Sequence, residues 1–150
     1  MATGVLLGLS GCTDVAKPRA TSASASPVKP APGNATSSGR AEHIGGETVT
    51  RAPEPGDGTA VLQVASQRGN VALPLTKKVG TGRLAIHVNC QGKGTLTVSV
   101  WPIGVSFPLA CADHEVSSTY NEIHLKRPRS EATIHVSASS AVHWALTAEQ

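Results

Sequence analysis

Large aromatic side chains are nearly missing from this sequence. Two Trp, one Tyr and one Phe in 150 residues make up 3% of the chain, too few for the stacking platforms that hold single-stranded nucleic acid. Charge is also modest. Thirteen Lys and Arg against ten Asp and Glu leave a formal +3, too weak a balance to argue for nucleic acid, and no basic face interleaved with stacking aromatics is evident, so no nucleic-acid partner is expected. No stretch approaches the roughly 20 apolar residues that cross a bilayer as a helix. Catalytic signatures are missing too: there is no His-Glu-x-x-His, no Gly-x-Ser-x-Gly, no phosphate-binding loop and no Cys-x-x-Cys. Nothing in the chain assembles a residue set for a reaction, and the expectation is a protein that is not an enzyme and uses no cofactor.

What the chain does contain is Ala, Ser, Thr, Val and Gly, a mixture of small and β-branched residues that suits strands and extended polypeptide better than helical bundles. Its length is that of one domain. Composition changes twice along it. Residues 1–12 are small and mostly apolar. From 13 to 57 Pro, Ala, Ser, Thr and Gly dominate, acids and bases balance, and large apolar side chains are rare. Such a segment cannot bury enough surface to offset the entropy of ordering it, which predicts a disordered linker. Ile44 and Val49 are the residues within it that could pack on the edge of a domain.

From Gly58 onward apolar and polar residues alternate with a period of two, the pattern of half-buried strands. Leu62 and Val64 open the series, followed by Val71, Leu73 and Leu75. Leu84, Ile86, Val88 and Cys90 face one way, and Leu96, Val98 and Val100 repeat the pattern. Val105, Phe107, Leu109 and Cys111 come next, then Ile123 and Leu125. Ala132, Ile134, Val136 and Ala138 precede Val142, Trp144 and Leu146. Gly92-Lys93-Gly94 predicts a hairpin turn between two of these runs, and Tyr120 falls in the loop leading to Ile123. About eight short strands, each with one apolar face, predict an all-β, antiparallel sandwich, jelly-roll-like or immunoglobulin-like. Parity turns Cys90 and Cys111 inward. They are either a disulfide pair or two free core cysteines.

Leu9-Ser10-Gly11-Cys12 resembles the lipobox of bacterial lipoproteins: an aliphatic residue, two small residues, then cysteine. The apolar run Gly4–Leu9 stands before it, and the polar pair Thr13-Asp14 follows. The resemblance implies that Cys12 receives a diacylglyceryl group and becomes the mature N-terminus after cleavage. Residues 1–11 then act as a signal peptide that is truncated here. They are shorter than the roughly 15–30 residues of a full signal and lack its basic start, so the expected translation start lies upstream of Met1. Residues 12–57 become a lipid-anchored linker and 58–150 the β-sandwich, the layout of small uncharacterised actinobacterial-type lipoproteins. The implied location is the extracytoplasmic face of the bacterial cell membrane, reached through a lipid anchor. In that oxidising setting Cys90 and Cys111 are left as an even pair.

The remaining candidates are sparse. Lys126-Arg127-Pro128-Arg129 forms a basic turn that could meet an anionic envelope polymer or a lipid headgroup; equally it could keep a sheet edge soluble. Trp101, and after it Tyr120, could lie against a sugar ring, whereas Trp144 has the parity of a core residue. His87, His124, His135 and His143 have outward parity. Three of them on one face would suit zinc or copper, but scattered surface histidines are the default and no metal site is assigned. Asp113-His114-Glu115 reads as a solvated loop. The leading expectation is a surface lipoprotein whose sandwich is a binding or interaction module, with a cell-wall polymer or another envelope protein as partner. Behind it come a structural envelope protein and, last, a metal-binding or hydrolytic domain.

Overall fold

A computed structural model describes residues 41–150. Cys12, the lipobox and residues 13–40 of the expected linker lie outside the described residues. Eight strands run as β1 (Ala60–Arg68), β2 (Val71–Pro74), β3 (Gly82–Gln91), β4 (Gly94–Trp101), β5 (Val105–Cys111), β6 (Ser117–Leu125), β7 (Thr133–Ser137) and β8 (His143–Glu149). They form two four-stranded antiparallel sheets, β1-β8-β3-β6 and β2-β7-β4-β5. Number and position agree with the alternation in the sequence.

The pairing is nested. β1 pairs with β8, β2 with β7, β3 with β6 and β4 with β5, as though one long hairpin had been rolled up. Further pairing of β3 with β8 and β4 with β7 completes each sheet. Every connection except β4–β5 crosses from one sheet to the other. This winding is that of a jelly roll rather than an immunoglobulin sandwich.

Period-two alternation builds the core. Leu84, Ile86 and Val88 of one sheet and Leu96, Val98, Val100 and Ile134 of the other are buried together, with Trp144 and Leu146 from β8. Trp144 sits opposite Cys90 in the register, and its Nε1–H donates to the Gly69 carbonyl at 3.2 Å. Cys90 on β3 is bonded to Cys111 on β5, with Cα atoms 5.6 Å apart, so a disulfide ties the two sheets together at this end.

Two expectations need correction. Gly92-Lys93-Gly94 does not close a hairpin, because β3 and β4 belong to different sheets; it is the corner that carries the chain across. Gly92 is fitted to that corner twice over. Its φ is +116°, and a Cβ there would lie 2.3 Å from the Ala141 carbonyl oxygen. Tyr120 is not in a loop either, since β6 begins at Ser117 and Tyr120 pairs with His87.

Residues 41–57, grouped by composition with the linker, pack across the outer face of the first sheet. Glu42 exchanges backbone hydrogen bonds of 2.9 and 2.7 Å with Ser118. Asn89 Nδ2 donates to Glu47 and to the Thr48 carbonyl. The Val49 carbonyl accepts the Ser66 N–H at 2.8 Å, where an irregularity in β1 holds Ser66 at φ 56°. Thr147 Oγ1 donates to the Pro53 carbonyl. This strap buries Val49, while Ile44 stays exposed. It also covers Ala85, Asn89, Ala145 and Thr147, whose parity is outward. Polar and main-chain bonds hold the strap, so no apolar period announces it.

Candidate functional site: a basic cleft at one end of the sandwich

The two ends of the sandwich differ. At the end opposite the disulfide, three connections lie side by side: residues 75–81 between β2 and β3, 102–104 between β4 and β5, and 126–132 between β6 and β7. Apolar residues pin them down. Leu75 and Val79 are buried and bracket the exposed Thr76-Lys77-Lys78, while Leu125 and Ala132 are buried on either side of the Lys126–Glu131 turn. The Leu75 N–H donates to the Ala132 carbonyl at 2.8 Å, and Val79 and Arg129 exchange backbone bonds of 2.9 and 2.8 Å. The buried ends fix the backbone; between them Lys77, Lys78, Lys126, Arg127 and Glu131 face water and Arg129 is half-buried.

This pairing gathers Lys77, Lys78, Lys126, Arg127 and Arg129 at one end, with Glu131 as the only acid in the three connections. Residues 41–150 contain nine Lys and Arg and nine Asp and Glu. The domain is therefore formally neutral, and five of its nine cations sit here. Such segregation makes a positive potential that attracts anions.

Ile103, His124, Leu125, Lys126, Arg127 and Arg129 line a cleft of about 380 Å³ at this end. That lies within the roughly 300–1,000 Å³ of small-ligand sites. Arg129 contributes a buried Nε–H with no hydrogen-bond partner among the described residues. A buried donor left unmatched costs about 1–3 kcal/mol. Trp101 ends β4 two residues before Ile103, and at 64% exposure it is the most exposed large apolar side chain of the domain.

Of the five residues singled out from the sequence, Lys126, Arg127 and Arg129 come together, and Trp101 lies two residues before the cleft-lining Ile103. Tyr120 does not belong to the group. On the outer face of the first sheet its hydroxyl donates to Glu149 Oε1 at 2.9 Å, and its ring meets His87 edge-on with centroids 6.0 Å apart. Arg83 binds Glu122 at 3.0 Å and Glu149 at 3.2 Å, so one guanidinium serves both carboxylates. Glu149 is buried beside Gly56 of the strap, and its Oε2 has no hydrogen-bond partner among the described residues. Burial first, then the hydrogen bond and charge of Glu149, push the Tyr120 phenol up to about 12. With its cation and anions already joined, this cluster works as a latch between β3, β6, β8 and the strap.

The histidines do not converge. His87, His124 and His143 are on the first sheet and His135 is on the second. Along β3, His87 lies four residues from Arg83, the partner of His124, and four from Gln91, the partner of His143. Among the described residues no group of three or more His, Cys, Asp or Glu could hold a metal ion. In the Asp113-His114-Glu115 loop, Glu115 meets His43 at 3.5 Å and His114 meets Asp113 at 3.8 Å, both at the surface.

Lys77, Lys78 and Ile103 drew no attention in the sequence. Their signal was the bracketing of two lysines by Leu75 and Val79, which gains meaning only once the jelly-roll winding sets that loop beside Arg129. No protein-family model, no curated protein and no solved structure matches the chain.

Proposed function

We propose that this protein is an exported lipoprotein, anchored through Cys12 at the extracytoplasmic face of the cell membrane, and that its jelly roll is a binding module working through its basic end. The observation that carries the proposal is the Cys90–Cys111 bond between the sheets. Structural disulfides persist in oxidising compartments and are rare in the cytosol. The chain has three cysteines, so this bond leaves Cys12 as the remaining thiol, in the position where the lipobox resemblance calls for lipid. A diacyl group supplies the two chains that stable anchoring needs.

In the native host, the wild-type protein partitions with membranes, incorporates labelled fatty acid and shows no free thiol at Cys90 or Cys111 by intact mass. Cys12→Ser abolishes the label and releases the protein. Continued membrane partition of the unlabelled Cys12→Ser protein would refute the anchor.

A further inference from the structure

We infer that the basic end binds an anionic polymer whose repeat joins a phosphodiester to a sugar or polyol. The inference deepens the binding-module proposal by naming its ligand class. Two observations carry it. The first is charge: Lys77, Lys78, Lys126, Arg127 and Arg129 are gathered at one end of a domain whose nine cations and nine acids cancel, so the rest of it is net acidic, and Arg129 lines the cleft. Guanidinium groups match the spacing of phosphate oxygens, and lysines add point charge along a chain of phosphates.

The second is shape. An open cleft of about 380 Å³ lies among these cations, lined by Lys126, Arg127 and Arg129 with Ile103 and Leu125. Exposed Trp101, two residues before the cleft-lining Ile103, offers a ring on which the C–H face of a sugar or polyol can lie. Charge alone would suit any polyanion; an exposed ring this close along the chain favours one with an alternating apolar and anionic repeat.

The test uses the full oxidised chain carrying Cys12→Ser, which keeps it free of lipid, and immobilised poly(glycerol phosphate) as the probe. The inference requires saturable binding that weakens as salt rises. Lys126→Ser/Arg127→Ser/Arg129→Ser should weaken it by more than about tenfold. Trp101→Ala should weaken it several-fold without changing the salt dependence. The control pair Arg68→Ser/Lys93→Ser, at the disulfide end, should leave it unchanged. Circular dichroism confirms that each variant is folded, and single substitutions at Lys126 and Arg127 replace the triple variant if it is not.

Four comparison ligands are measured beside the probe: neutral dextran, polygalacturonate, a single-stranded oligonucleotide and phosphatidylglycerol vesicles. Weaker binding to all four supports the inference. No binding to poly(glycerol phosphate), or equal or tighter binding to any of the four, overturns it, as does an equal loss in the control pair. This measurement is independent of lipidation, so a failed anchor and a failed ligand class are told apart.

Discussion

The disulfide end and the basic end of this sandwich are built from the same strands and organised for opposite purposes. At the first, Cys90–Cys111 bridges the sheets, Trp144 is fully buried beside it, and Gly92 makes a corner too tight for a Cβ. At the second, buried Leu75, Val79 and Ala132 fix the backbone while Lys77, Lys78, Lys126 and Arg127 are exposed and Arg129 lines an open cleft. One end spends its residues on closure and the other presents charge. In a small jelly roll with a modest core, stability concentrated at one end leaves the other free to carry like charges close together.

The comparison predicts where substitutions will hurt. Trp144→Ala should have the largest effect, about 3–5 kcal/mol of unfolding free energy, because a fully buried indole leaves a cavity between the sheets; denaturant unfolding measures it. Cys90→Ala/Cys111→Ala should cost about 3 kcal/mol, the loop-closure entropy for a sequence separation of 21 residues. At the basic end, Lys126→Ser/Arg127→Ser should shift stability by no more than about 0.5 kcal/mol, as expected of exposed side chains without buried partners. A large loss there would break the contrast.

The smallest effect belongs to the latch between them. Tyr120 is the only tyrosine, so phenolate absorbance reports it alone. Its midpoint should lie near 12 rather than 10, and Glu149→Gln should bring it down by removing the facing charge. The sign follows from proton binding. The folded state holds the phenolic proton more tightly than the unfolded state does. This contribution is therefore fully present below pH 10 and is lost as pH rises from 10 to about 12. A midpoint at 10 in the folded protein would remove Tyr120 from the latch.

Sequence alternation located all eight strands because each turns apolar side chains to the face that meets the core, and period two records that directly, even in β8, which is buried on both faces. Winding order was not legible. Gly92-Lys93-Gly94 has the residues of a hairpin, but β3 pairs with β6 and β8 while β4 pairs with β5 and β7, which makes it a sheet-crossing corner. The strap was missed for a different reason: Glu42, Thr48 and Pro53 attach through backbone groups, which every residue type carries. A trace of it did exist in the small outward residues Ala85 and Ala145, which leave room for a covering segment. The basic turn 126–129 was visible as a run, but its extension to Lys77 and Lys78 depends on the Val79–Arg129 pairing across 50 residues of sequence.

The division of labour between the ends is tested most directly by measuring unfolding free energy and poly(glycerol phosphate) affinity on the same two variants of the Cys12→Ser chain. The account predicts that Cys90→Ala/Cys111→Ala loses stability and, while folded, keeps its affinity, whereas Lys126→Ser/Arg127→Ser keeps stability and loses affinity. If both quantities fall together in both variants, the ends are not separate and the account is wrong.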